Sequence, residues 1–439
     1  MRKMTSVNAM SFQKLERLLL LLLTMISVAA LWAGSFLEDP SKDQRSWRLL
    51  SQVPVSHVHP KQPTMDGDAF LRTNRSIFPD WMKSYMEWHA SVIVNLKQEN
   101  WKNYKYLVLR CYRKDERCGG LSDRLKPVPL MLLAAHRSKR ILLIDWNRPC
   151  PLQEFLVTPV GGFQWSVPSF MIPLLRNGSF YVVTRASNLI ESCTQYDSRV
   201  LYTHLHDAQG GMTQYDEEFG TGSFAQIYHA LFRTFFQPSP NVQYLIDKHL
   251  VTDPMQASSN DKLLVQGQYS VAHFRAEYGR EVKRHPLLLE PAFLQKVTMN
   301  AIRCASELQP SVEAVPIYFA SDNPVALATA KHIAKLFDYP IITFERSEEK
   351  PRHLDDYDKN NVTRPSDYYS TFVDLFLAGS GKCVTHGRGG FGRFASLLSF
   401  NVTCSSKHVH RFYPVNCQGR EPFNRPLFEI ESSGGTNST

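Results

Sequence analysis

The run Gly387-Arg388-Gly389-Gly390-Phe391-Gly392-Arg393 lies between a strand-like stretch, Lys382 to Thr385, and an apolar helical stretch, Phe394 to Phe400. Such a junction brings bare backbone N–H groups to the positive end of a helix dipole, an arrangement that favours phosphate. Arg388 and Arg393 add charge to the same point. Taken literally, Gly387-x-Gly389-x-x-Gly392 is also a dinucleotide-binding fingerprint. That reading wants the turn in the first βαβ unit and an acid about 20 residues downstream. Here the turn is C-terminal and is followed by Lys407, His408 and His410, so the dinucleotide reading fails. A tight turn with no ligand stays open as the plain alternative.

Other residues could share an anion with this turn. His273-Phe274-Arg275 ends an apolar run, and ligands of open α/β sheets gather at the C-terminal ends of strands. Arg275 can fork two hydrogen bonds onto a diphosphate. His273, two residues earlier, shares its side of the strand; taken alone, the pair reads equally as an ordinary surface arginine and a core-edge histidine. Asp322, after Ile317 to Ala320, can bond a ribose or base, or cap the helix that begins at Pro324. Asp367 resembles an N-cap before a helix from Tyr368. Gly119, Gly120, Asp123 and Arg124 form a further loop-to-helix junction, where structural and ligand-binding readings are equally open. Glu277 and Glu281, with Asp123, are candidate bases, Glu277 first. Asp356-Tyr357-Asp358 imitates a metal-binding D-x-D, but it sits in a polar loop ending in a sequon and reads as solvated. No metal is expected.

These positions need strands and helices in alternation. Strands are expected over Tyr106–Arg110, Arg140–Trp146, Phe180–Thr184 and Val200–His204, with helices over Leu125–Arg137 and Phe224–Phe236. A second series begins near residue 262. Its strands are Ser270–Phe274, Pro316–Ala320, Pro340–Phe344 and Lys382–Thr385. Its helices are Pro291–Leu308, Pro324–Phe337, Tyr368–Gly379 and Phe391–Phe400. The fold class is α/β with parallel sheets, in two Rossmann-like domains facing a cleft: 85–261 and 262–430.

The N-terminus sets the compartment. Arg2, Lys3, Lys14 and Arg17 precede an uncharged, mostly apolar stretch from Leu18 to Leu37. That is about the length of a membrane-spanning helix, with the positive flank cytoplasmic. The expected layout is a tail (1–17), a signal-anchor (18–37) and a Pro-containing stem (38–84), with cleavage near Ala30–Ser35 as the alternative. Sequons at Asn74, Asn177, Asn361, Asn401 and Asn437 fit a lumenal body. So do eight cysteines, which permit up to four disulfides; Cys111 with Cys118 is the favoured pair. Of the net charge of +9, +6 belongs to the body, with no basic run carrying interleaved aromatics. Nucleic acid is therefore not an expected partner.

The order of these motifs resembles the GDP-fucose-dependent fucosyltransferase superfamily: G-x-x-D-R-L before a helix and an LIDW strand, then H-x-R, A-S-D, and a Gly-rich F-G-R-x-A turn. The resemblance covers roughly residues 105 to 400. It implies a GT-B fold, an acceptor domain followed by a donor domain, no cofactor or metal, and inverting transfer of fucose from GDP-fucose to a glycan or glycoprotein. It also implies a type II Golgi membrane protein with one N-terminal helix. By the same resemblance Arg275 holds the donor diphosphate with His273 beside it, Asp322 lies near base or ribose, and Gly389 to Arg393 contact the donor. Several relatives have H-x-R-R, whereas residue 276 here is alanine. A second basic contact is then missing, or comes from Arg388 or Arg393. Another nucleotide sugar on the same fold, or a non-catalytic glycan-binding protein, are the alternatives.

Overall fold

The structure, a computed structural model, describes residues 77–113, 115, 118–177, 181–183, 189–203, 216–219, 224–251, 264–277, 286–309, 314–344, 353–354, 364–410 and 413–417. The expected tail, signal-anchor and most of the stem lie outside these residues. So do Asn74, Asn361, Asn437, Glu281, the Asp356-Tyr357-Asp358 run, strand-end positions Phe180, Thr184 and His204, and residues 418–430. Among the described residues no helix is long and apolar enough to cross a membrane.

The first sheet grows from two apolar runs whose side chains are covered on both faces. Strands β1 (Lys105–Cys111) and β2 (Arg140–Trp146) pair in parallel from Lys105 opposite Arg140 to Cys111 opposite Trp146. All seven residues of β2 are buried, as expected of a central parallel strand. Strands β3 (Tyr181–Val183) and β4 (Val200–Thr203) complete the order β2-β1-β4-β3, all parallel. Helix α1 (Asp80–Asn95) begins inside the expected stem. It is tied to β2 by Tyr85, whose hydroxyl donates to Arg140 O (2.9 Å) and accepts from Leu142 N (3.1 Å). The helix expected over Leu125–Arg137 is instead two: α2 (Leu121–Leu125) and α3 (Val128–Arg137). Pro127 and Pro129 lack the N–H groups that a continuous helix would use there.

The second sheet has strands β5 (Ser270–Phe274), β6 (Ile317–Ser321), β7 (Ile341–Ile342), β8 (Cys383–His386) and β9 (Ser405–Lys407). Their order is β7-β6-β5-β8-β9, again all parallel. The chain winds outward from β5 through β6 and β7, then restarts on the opposite flank of β5 with β8. The switch point therefore lies between β5 and β8, where open α/β sheets take their ligands. The expected α/β class with parallel sheets is what the structure shows.

Helices of the first half pack directly on those of the second. Here α4 is Phe224–Phe235, α5 Pro240–Asp247, α6 Pro291–Glu307, α7 Pro324–Phe337, α8 Ser366–Gly379 and α9 Gly390–Leu398. Helix α9 meets both α2 and α4, and α5 meets α8. Phe232 lies edge-on to Phe394 at 5.8 Å, and Phe155 stacks on Phe372 at 4.4 Å. One buried apolar cluster runs through these contacts.

Two expected caps are corrected. Asn323, not Asp322, caps α7, its side chain accepting from Val325 N (2.9 Å) and Ala326 N (3.3 Å). Asn323 is the extended residue just before Pro324 at the first helical position, so its amide oxygen faces the orphan donors. Asp367 lies within the first turn of α8, where its charge suits the helix dipole, and the cap position belongs to Pro365. Of the disulfides, Cys111–Cys118 forms, together with Cys304–Cys417 and Cys383–Cys404. Cys150 and Cys193 are buried thiols outside these bridges, so the fourth permitted bridge does not form.

Candidate functional site

Three segments converge at the β5/β8 switch point. The first is the end of β5. His273 is paired in register with Ala320 on one side and His386 on the other. It is 7% exposed and stacks on Phe391 at 5.0 Å.

The second segment is the Gly-rich turn after β8. Gly387 N donates to His273 O (3.1 Å), which locks the turn onto β5. Gly389 precedes α9 at φ +81°, a conformation that costs a side-chain-bearing residue energy. Gly390 opens the helix under close approach. A methyl added there would lie 2.6 Å from Ser122 Oγ, 2.8 Å from Lys126 Nζ and 3.5 Å from Asp123 Oδ1. A methyl on Gly392 would lie 2.6 Å from His273 Nδ1. Both glycines are therefore dictated by packing, and the turn keeps its backbone bare. Arg388, Phe391 and Arg393 are partly exposed along it.

The third segment comes from the first half of the chain. Gly120 N donates to Asp123 Oδ2 (3.0 Å), so the Asp123 carboxylate closes the start of α2. Arg124 is 3% exposed; its Nε donates to Gly119 O (2.9 Å) and its Nη1 to Arg148 O (2.5 Å), and its guanidinium lies over Trp146. These contacts commit Arg124 to shaping the Cys118–Leu125 loop.

A second cluster occupies the β5/β6 flank. Asp322 Oδ1 accepts from Ala276 N (2.7 Å) and Glu277 N (3.2 Å), and its Oδ2 lies 3.9 Å from Arg275 Nε. Burial raises the Asp322 carboxyl above its ordinary range, against the pull of Arg275 and the two amides. Glu277 Oε1 accepts from Asn323 Nδ2 (3.2 Å). Arg275 and Glu277 thus leave β5 on a turn held by the residues that follow β6.

Buried histidines lie under the turn: a methyl on Gly387 would lie 3.0 Å from His408 Nε2, and one on Gly392 2.7 Å from His386 Cβ. Burial pushes His386 down to about 4 and His408 well below the ordinary histidine range. Thr385 Oγ1 lies 3.2 Å from His408 Nδ1. Both shifts favour the neutral ring of these histidines. Sequence reasoning passed over them, and over Ser122 and Lys126. Lys126 is 5% exposed, and burial, with Arg393 nearby, pushes its ammonium down to about 8 against the pull of Asp123. The available signal was a lysine standing between Leu125 and the apolar run from Val128.

No protein-family model matches the chain, and no curated protein does. Solved structures do. The chain is structurally similar to fucosyltransferases. One is a variant of FUT1 from Arabidopsis thaliana in complex with GDP, 12% identical, with 78% of this chain and 80% of that chain covered and a TM-score of 0.46. Another is the alpha-1,6-fucosyltransferase NodZ co-crystallised with GDP, 15% identical, covering 67% of this chain and 93% of that one, TM-score 0.40. The selenomethionine form of NodZ from Bradyrhizobium gives the same identity and TM-score over 67% and 92%.

Proposed function

We propose that the protein is an inverting fucosyltransferase that moves fucose from GDP-fucose to a glycan or glycoprotein acceptor. The observation that carries this reading is the switch point itself: His273-x-Arg275 and the Gly387–Arg393 turn leave adjacent parallel strands at one end of the sheet. In this reading residues 85–261 form the acceptor domain and 262–430 the donor domain of a GT-B enzyme. Three disulfides suit an oxidising compartment, and a type II Golgi protein anchored by residues 18–37 suits the sequence.

The chemistry follows from charge. The bond between fucose C1 and the β-phosphate oxygen breaks through an oxocarbenium-like state, and its electron pair leaves with GDP. Arg275 and the amides that open α9 stabilise the charge that grows on that phosphate. His273 donates to a phosphate or sugar oxygen. Asp322 fixes the turn that carries Arg275 and meets the base or ribose. On the opposite face of the sugar an acceptor hydroxyl attacks C1 and loses its proton to a carboxylate. Glu277 is the first candidate, held by Asn323; Asp123, at the start of α2, is the second.

Incubating the full-length protein with GDP-fucose, GDP-mannose, UDP-galactose and UDP-N-acetylglucosamine, and following nucleotide release, tests the donor. Release from GDP-fucose alone, abolished in Arg275→Ala, is the expected result. Release from a UDP-sugar, or from none of the four, contradicts it.

A further inference from the structure

We propose that Lys126 is the second cation of the donor site, delivered from the first half of the chain to the diphosphate at the start of α9. This rests on the donor reading above and adds to it the contact that Ala276 cannot make.

Helix α9 has nine residues and no side-chain cap, so its first amides present partial positive charge. Lys126 Nζ sits 2.8 Å from the point that a methyl on Gly390 would occupy, at the first helical residue. Burying an ammonium beside a positive helix end is unfavourable unless an anion joins them. Among the described residues the Lys126 ammonium has neither a hydrogen-bond acceptor nor an ion pair. Among the described residues the charged and titratable groups facing it are Asp123 on α2, Arg393 on α9 and His386 at the end of β8. Asp123 is the one carboxylate among these, and its Oδ2 already accepts the Gly120 amide. The Lys126 ammonium and the start of α9 face one carboxylate that is already engaged, so the two lack an anion of their own. A diphosphate supplies it. The glycine at position 390 is what lets Lys126 and the helix amides reach the same anion, since any side chain there would stand between them.

The placement has a consequence for the fold. Lys126 follows α2, from the first half, whereas Arg275 and the Gly-rich turn belong to the second sheet. An anion gripped by both would tie the two halves together through one ligand.

The test titrates the full-length protein, Lys126→Met, Lys126→Arg and Arg275→Ala with GDP and with guanosine at pH 7 and pH 9, with thermal melting to confirm folding. Lys126→Met is expected to weaken GDP about tenfold or more, the effect of losing a charge-assisted contact, and to leave guanosine unchanged. Wild-type affinity for GDP is expected to fall from pH 7 to pH 9 as the ammonium deprotonates, and Lys126→Arg to lose that dependence. GDP bound by folded Lys126→Met within twofold of wild type overturns the proposal. If Lys126→Met does not fold, equal pH dependence in wild type and Lys126→Arg overturns it. Inorganic pyrophosphate separates the two levels of the reading. Lys126-dependent pyrophosphate binding without GDP binding removes the nucleotide-donor reading and keeps the anion site. Binding of neither removes both.

Discussion

Asp322 accepts the backbone amide of Ala276 at 2.7 Å, across the boundary between two neighbouring strands. The same carboxylate takes the Glu277 amide and lies 3.9 Å from Arg275 Nε. A side chain at the end of β6 therefore fixes the path of the chain as it leaves β5, and with it the base of Arg275. The residue that the resemblance places at the base or ribose has a structural duty that the structure shows directly.

Replacing Asp322 with alanine should loosen that turn. Two amides lose their acceptor, so the melting transition should report a destabilisation of about 1–3 kcal/mol. GDP affinity should fall, by less than in Arg275→Ala, because the guanidinium is misplaced but present. Unchanged stability and unchanged GDP affinity together would contradict the arrangement.

Acid should destabilise the protein through its buried imidazoles. Burial pushes His89, His229 and His386 each down to about 4, from an ordinary value of 6.5. The unfolded chain therefore binds the proton first as pH falls, and stability present above about pH 6.5 is lost progressively toward pH 4. Each ring should cost on the order of 1–2 kcal/mol by pH 5. Melting temperature measured from pH 7.5 to 5 should decline, and the slope should be shallower in His89→Gln, whose side chain can still donate to Leu142 O. Slopes that coincide would assign the acid sensitivity to other groups.

The disulfides differ in what they close. Cys304–Cys417 spans 113 residues and Cys111–Cys118 spans 7, so loop-closure entropy makes the first the larger stabiliser. The contributions are about 5 and about 2.5 kcal/mol. Cys417→Ser should lower the melting temperature more than Cys118→Ser. Cys118→Ser should in turn weaken GDP binding more, because that bridge shapes the loop leading into α2. Alkylation without reductant should label Cys150 and Cys193 only after denaturation, since both are buried. The reverse order of the two variants would contradict the entropic account.

Much of the fold was legible because its signals are local. The run Arg140–Trp146 and the helix Pro324–Phe337 have the bounds that apolar patterning and proline placement dictate. The Gly-rich turn was legible for the same reason, since a strand, a run with four glycines and an apolar helix follow one another in sequence. What was not legible depends on neighbours distant in the chain. Asp322 reads as a cap for α7 until β5 is set beside β6 and two amides reach its carboxylate first. Lys126 falls inside the helix expected over Leu125–Arg137, and nothing in that pattern shows that α9 packs on α2 and brings Gly390 to it. Arg124 gives no sign in the sequence of the bonds it makes to Gly119 O and Arg148 O. No residue spacing encodes these meetings.

The central claim is that Arg275 and the Gly-rich turn hold the diphosphate of a guanine nucleotide. Calorimetric titration of the full-length protein with GDP, beside Arg275→Ala and with UDP as competitor, tests it most directly. The account predicts GDP binding that UDP does not displace and that Arg275→Ala weakens by about 1.5–3 kcal/mol, the value of a charge-assisted pair. No GDP binding, or binding indifferent to Arg275, would contradict it.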